Sequence, residues 1–266
     1  MATLNSKSPS FAPVVGDEPL PGYQEEIDDA SSHQSVPPAV LVLSDHHIIR
    51  EDPGNSNPKP LYELNRGVAV ITNATTTVTF SRLDYSVQDV AGAEPSLKVR
   101  KRHLYSLEHN RTASLGRYVR NAKFADAPSF WCKSESKKTL GDLGLKIKKK
   151  SGFIIQAVNR RDGQNSDPCF VESSQSRDNP VSFGIEWSKK YNRHVWTDAL
   201  GLLVAFETLV DGKHRLDIKT ELQRPALDTL VALWCLKIWW ESAKKHADEQ
   251  PSGGWHEGNY LCISAT

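Results

Sequence analysis

Residues 225–246 read PALDTLVALWCLKIWWESAKKH, and the reading of this stretch decides the fold. Pro225 stands at the start, where a helix tolerates proline because its first N–H groups have no intrahelical acceptor. Lys244, Lys245 and His246 stand at the end, where cations complement the helix dipole. Between Leu230 and Trp240 the sole charge is Lys237. On a helical wheel, Leu227, Val231, Trp234 and Ile238 share one side, and Ala232, Leu236 and Trp239 cover the opposite side. Leu233 and Trp240 fill a third sector, and Cys235 helps to close the fourth. A surface helix shows one apolar stripe and one polar face; this one is apolar all round in its middle. Its expected core is Leu227, Leu230, Val231, Trp234, Cys235, Ile238 and Trp239.

A membrane span needs roughly 20 mostly apolar residues. The run here is about half that and carries a lysine, so the sequence reads as a helix buried on every side within a domain. On that reading Trp234→Ala costs about 3–5 kcal/mol, as for other buried aromatics. A helix of this kind needs a sleeve, and nearly everything before it is strand-like. Ala39–Ile49 is apolar and β-branched, and it reads as one strand on which His46 and His47 point to opposite faces. Leu61–Asn65, Val68–Thr72, Thr75–Val87 and Leu97–His109 follow, then Ser129–Ser134. Leu143–Val158 reads as a hairpin turning at Ser151-Gly152, and Cys169–Glu172 and Phe183–Trp187 are short strands. Leu202–Leu209 and His214–Leu222 form the clearest hairpin, with the strong turn pair Asp211-Gly212 between them. Roughly ten to twelve strands with the helix last point to a barrel or a strongly curved sheet around the helix.

The rest of the chain divides accordingly. Residues 1–36 form an acidic tail, 37–246 the barrel with its helix at 225–246, and 247–266 a Gly/Pro-rich C-terminal tail. The first segment has one lysine, Lys7, against six acids: Asp17, Glu18, Glu25, Glu26, Asp28 and Asp29. It therefore carries −5, and because the 266-residue chain totals +1, residues 37–266 carry +6. An acidic tail on a moderately basic body can shield the body's basic surface. Within the tail, Leu20-Pro21-Gly22-Tyr23 fits the LPxY variant of the motif that WW domains grip through proline and tyrosine. The N-terminus shows no charged region followed by an apolar one, so no secretory signal is expected. The four cysteines lack metal-ligand spacing, so a reducing compartment and no disulfide framework are expected.

Several pieces taken together resemble a known family: PLYELNR at 60–66, FSRLDY at 80–85, RHLYSLEH at 102–109, TLGDLGLK at 139–146 and LDTLVALWCLKIW at 227–239. In this order, over about residues 38–246, they are similar to fungal proteins classed as tubby C-terminal-like. The resemblance implies a mainly β fold, a closed antiparallel barrel of about twelve strands around a hydrophobic C-terminal helix. Tubby itself, the phospholipid scramblases and the plant LURP-one-related proteins share that fold, and tubby binds phosphoinositides. The lipid-binding residues of true tubby proteins are not matched residue by residue, and the scramblase span and metal loop are absent.

No catalytic or nucleotide-binding motif is present, and the nine histidines are scattered. Neither a cofactor nor a metal is expected, and the chain reads as non-enzymatic. Gly141 and Gly144 read as a turn before a strand. The remaining chemistry is basic. Lys98, Arg100 and Arg102 alternate along a strand and are expected on one outward face, with Leu97 and Val99 on the other. Lys146, Lys148 and Lys150 share a second face. Both stripes suit anionic lipid head groups; the competing reading is a solvated barrel exterior whose lysines discourage edge association. Each basic residue near an anionic membrane contributes about 1 kcal/mol, so a stripe of three requires a second anchor. Three functions stay open on the sequence: an anionic phospholipid-binding adaptor or membrane-associated regulator, an adaptor recruiting a WW-domain ubiquitin ligase through LPxY, and an enzyme of unrecognised type. The expected protein is a cytoplasmic monomer, peripheral at a membrane, with no nucleic-acid partner.

Overall fold

The computed structural model describes residues 34–52, 54, 57–88, 96–110, 127–148, 152–160, 168–171 and 183–249. Twelve of its strands close into an antiparallel barrel. In chain order they are β2 (Ala39–Ser44), β3 (His47–Arg50), β4 (Pro60–Leu64), β5 (Thr77–Gln88), β6 (Ser96–His109), β7 (Phe130–Ser134), β8 (Leu143–Ile147), β9 (Gly152–Asn159), β11 (Gly184–Ser188), β12 (Arg193–Thr197), β13 (Leu203–Val210) and β14 (Lys213–Ile218). Around the wall the order is β9-β11-β12-β13-β14-β2-β3-β4-β5-β6-β7-β8, and β8 pairs back onto β9 to shut the ring. Three shorter strands lie beside it. β10 (Cys169–Phe170) pairs with the far end of β9, and β1 (Ser35–Val36) pairs with β15 (Leu222–Gln223).

The helix α1 (Arg224–Glu249) threads the barrel. Its 26 residues span about 39 Å at the α-helical rise. It starts one residue earlier and runs three residues further than the sequence reading of 225–246, so Ala247, Asp248 and Glu249 belong to it. Leu227, Leu230, Val231, Trp234, Cys235, Ile238 and Trp239 are all buried, and none is more than 4% exposed. The wall meets them with Tyr62, Leu64, Phe80, Tyr105, Leu107, Ile185, Trp196, Ala205 and Leu216. The Trp239 ring packs edge-on against Phe130, with ring centres 5.3 Å apart, and Trp240 does the same against Phe153 at 4.9 Å. Cys235 is a fully buried filler, and burial pushes its thiol, like that of Cys132, well up. Among the described residues no helix is long and apolar enough to cross a membrane.

Four sequence expectations are corrected. Ala39–Ile49 is a hairpin, because Asp45 adopts a left-handed backbone (φ 53°) and turns the chain between β2 and β3. Val68–Thr72 is a run of turns, although Val68 still plugs the core. Residues 193–197, not expected as a strand, form β12 after a turn at Asn192 (φ 51°). Gly144 lies within β8, where a Cβ would stand 2.8–3.0 Å from Phe170, Pro128 and Val158. The expected turn falls instead at Gly141 (φ 84°).

Candidate functional site at the start of the central helix

β5 and β6 outrun their neighbours. β4 pairs with β5 at Phe80–Arg82, and β7 pairs with β6 at Tyr105–His109. Leu83–Gln88 and Ser96–Lys101 then pair with each other alone among the described residues, as a two-stranded ribbon about 20 Å long. A β-bulge sits at its base, where Phe80 faces Tyr105 but Ser81 faces His103, leaving Leu104 as the extra residue. Leu104 and Tyr105 are consequently both buried.

The bulge inverts the faces expected from alternation. Simple period-2 counting from Leu107 would turn Leu97 and Val99 toward the helix and the basic residues outward. Instead Arg102 lies opposite Arg82, Arg100 opposite Asp84 and Lys98 opposite Ser86. Arg82 reaches the central helix, so Lys98, Arg100 and Arg102 do share a face, but it is the helix-facing one. The outward-facing expectation for them is corrected on this point. The Lys98 and Arg100 side chains are nevertheless exposed. The other face of the ribbon presents Val87, Leu97 and Val99, which are 65%, 46% and 49% exposed.

A polar network anchors the ribbon's base. The Arg82 guanidinium donates to Asp228 Oδ2 at 2.6 Å through Nη1 and to Asp84 Oδ1 at 2.8 Å through Nε. Arg102 Nε donates to Asp84 Oδ2 at 3.3 Å, and the Tyr62 hydroxyl donates to Asp228 Oδ1 at 2.7 Å. Asp228 lies near the start of α1, where the helix dipole favours an anion. Burial pushes its carboxyl up, and Arg82 opposes that shift. Burial likewise drives the Tyr62 phenol up, so its proton stays in place as a donor.

The second basic stripe lies elsewhere. Ile147 of β8 pairs with Phe153, which packs on Trp240, twelve residues and about 18 Å along the helix from Asp228. Lys148 donates to Glu186 at 2.6 Å, and Lys146 Nζ lies 5.3 Å from the Phe170 ring centre. Lys150 falls outside the described residues, as do Leu20, Pro21 and Tyr23. The two stripes thus do not form one surface.

At the middle of α1 is a charged cluster that the sequence reading missed. Lys237, wholly buried, donates to Glu207 Oε1 at 3.0 Å and to Glu241 Oε1 at 2.7 Å. The Trp196 indole donates to Glu207 Oε2 at 3.2 Å, and His194 Nε2 lies 3.7 Å from Glu241. Burial holds His194 and His214 below the ordinary histidine value, with Lys237 pushing the same way and Glu241 opposing it. The signal for this cluster was in the sequence: a lone lysine in a helix apolar on every side must meet an acid from the wall. Glu207 is that acid, inward-facing between Ala205 and Leu209 in β13.

His46 and His47, expected on opposite faces of one strand, lie in the β2–β3 turn and at the start of β3, with ring centres 4.1 Å apart. Among the described residues no group of three or more His, Cys, Asp or Glu is placed to hold a metal ion. No family model matches this chain, and no curated protein or solved structure matches it either.

Proposed function

We propose that this barrel is a non-catalytic module that docks on anionic phospholipid membranes through the β5–β6 ribbon, acting as a peripheral adaptor or regulator. The observation that carries the reading is the ribbon's two-sidedness: Lys98 and Arg100 exposed on one face, Val87, Leu97 and Val99 on the other. Amphipathic helices that lie in a membrane interface have this arrangement, with apolar residues at the acyl boundary and Lys or Arg among the head groups. The resemblance to tubby C-terminal-like proteins points the same way and makes phosphoinositide the first lipid to try.

The magnitudes are those of a reversible encounter. Lys98 and Arg100 contribute about 2 kcal/mol together. Burying the remaining exposed half of three aliphatic side chains adds about 3 kcal/mol. The sum, about 5 kcal/mol, corresponds to a dissociation constant on the order of 0.2 mM. The apolar face supplies the second anchor that a basic stripe by itself lacks. The Lys146–Lys148 stripe lies apart from the ribbon, with Lys148 donating to Glu186 and Lys146 packed over Phe170.

Co-sedimentation of the full chain with vesicles tests this. Pelleting is expected with phosphatidylcholine vesicles containing phosphatidylserine or phosphoinositide, and not with phosphatidylcholine alone. Leu97→Glu/Val99→Glu and Lys98→Glu/Arg100→Glu should each abolish it. Pelleting that survives both double variants, or its absence at low salt, overturns the reading.

A further inference from the structure

The segment before Gln34 and the ribbon carry opposite charge, and the fold delivers that segment to the ribbon's end of the barrel. β1 pairs with β15 immediately ahead of the helix, and the Arg224 amide donates to the Gln34 carbonyl at 3.0 Å. Asp228, which holds Arg82 at the ribbon's base, lies one helical turn beyond Arg224. Residues 1–33 therefore join the described chain at the end from which the ribbon projects. Within them Glu25, Glu26, Asp28 and Asp29 lie five to nine residues before Gln34. At full extension that reaches about 17–30 Å from it. Lys98, Arg100 and Arg102 span about 14 Å of β6. The reach suffices, and the signs complement.

We propose that the acidic segment 25–29 docks intramolecularly on the basic face of the β5–β6 ribbon and competes there with anionic phospholipid. The competition rests on the membrane reading above; the docking does not. Individual ion pairs at a surface are weak and screened by salt, so an untethered acidic peptide would barely bind. Tethering changes the arithmetic, because a short linker holds the segment at an effective concentration in the millimolar range. The result is a partial, salt-sensitive brake. A membrane presenting many anionic head groups displaces the segment, whereas isolated anions in solution do not.

Two measurements on the full chain test it. The first is zero-length carbodiimide coupling of carboxylates to lysines at low salt, read by peptide mass spectrometry. Coupling of segment 25–29 is expected to concentrate on Lys98, the lysine of that face, rather than on Lys101 of the opposite face, and to fade as salt rises. The second is vesicle binding by the variant Glu25→Gln/Glu26→Gln/Asp28→Asn/Asp29→Asn. It is expected to bind phosphatidylserine vesicles about fivefold more tightly than the parent at low ionic strength, with the gap closing at high salt. Coupling spread equally to Lys189, Lys190 and Lys213 overturns the docking. Unchanged vesicle affinity in the neutralised variant, where the parent does bind, overturns the competition. Coupling at Lys98 with no vesicle binding by either form supports the docking and overturns the membrane reading.

Discussion

Two charged clusters are buried against the same helix, one near its start and one at its middle, and they are built in opposite senses. At the start the helix supplies the anion, Asp228, and the wall supplies the cation, Arg82. At the middle the helix supplies the cation, Lys237, and the wall supplies Glu207, with Glu241 one turn on. The first cluster is redundant, since Arg82 also holds Asp84 and Asp228 also accepts from Tyr62. The second is wired in the same way, since Lys237 holds both Glu207 and Glu241 and Glu207 also accepts from Trp196, but its cation lies wholly inside. The first contains no histidine, whereas two histidines face the second. Similar ion pairs thus pin the start of the helix with no histidine beside them and leave its middle sensitive to pH.

The largest test of this contrast is Lys237→Met. It strands Glu207 as a buried, uncompensated charge and should cost about 3–5 kcal/mol in chemical denaturation. Lys237→Met/Glu207→Leu should recover most of that loss, because removing both charges removes the desolvation penalty as well. If the double variant is no better than the single, the pair is not the cluster's main liability. Asp228→Asn should cost less, about 1.5–3 kcal/mol, since Arg82 keeps Asp84 and the amide oxygen still accepts from Tyr62.

The next contrast is in pH. His194 and His214 both have folded-state values below the ordinary 6.5, so the unfolded chain binds more protons than the folded one just below that pH. Their contribution to stability is full above about pH 6.5 and is lost as pH falls below it. The Tm should therefore drop by several degrees between pH 7.5 and 5.5. His194→Gln/His214→Gln should flatten that slope, and Asp228→Asn should leave it unchanged. The smallest effect belongs to the ribbon. Lys98→Ala/Arg100→Ala should change stability by no more than about 0.5 kcal/mol, which separates a binding role from a folding one.

Much of the fold was legible because one helix with no polar face has few places to go. Leu227, Val231, Trp234 and Ile238 demanded burial, Ala232, Leu236 and Trp239 demanded it from the other side, and strands were the material at hand to provide it. The local breaks were harder. The hairpin at Asp45 carries none of the glycine or Asn-Gly signals that mark such turns, and His46-His47 after it reads as strand. The functional surface was half legible. The alternation that places Lys98, Arg100 and Arg102 together holds, but their direction depends on a single bulged residue, Leu104. A bulge is a property of two strands' registers, and one strand's sequence does not announce it. Lys237 was visible as an anomaly, yet its partner Glu207 lies thirty residues away and becomes its neighbour only once β13 curls around the helix.

The order of the chain has a consequence for how the molecule is made. The pairing that joins its two ends, β14 with β2, ties residues 215–218 to 39–42, and the helix that fills the barrel follows six residues later. A ribosome therefore releases all twelve walls before the core that they enclose. Until α1 emerges, the inward faces of Tyr62, Phe80, Tyr105 and Trp196 have nothing to pack on, and the nascent sheet presents them to water and to other chains. With so many contacts between distant residues, folding is expected to be slow as well as late. Chain termination anywhere upstream of Trp239 should then yield an aggregating species rather than a shortened barrel.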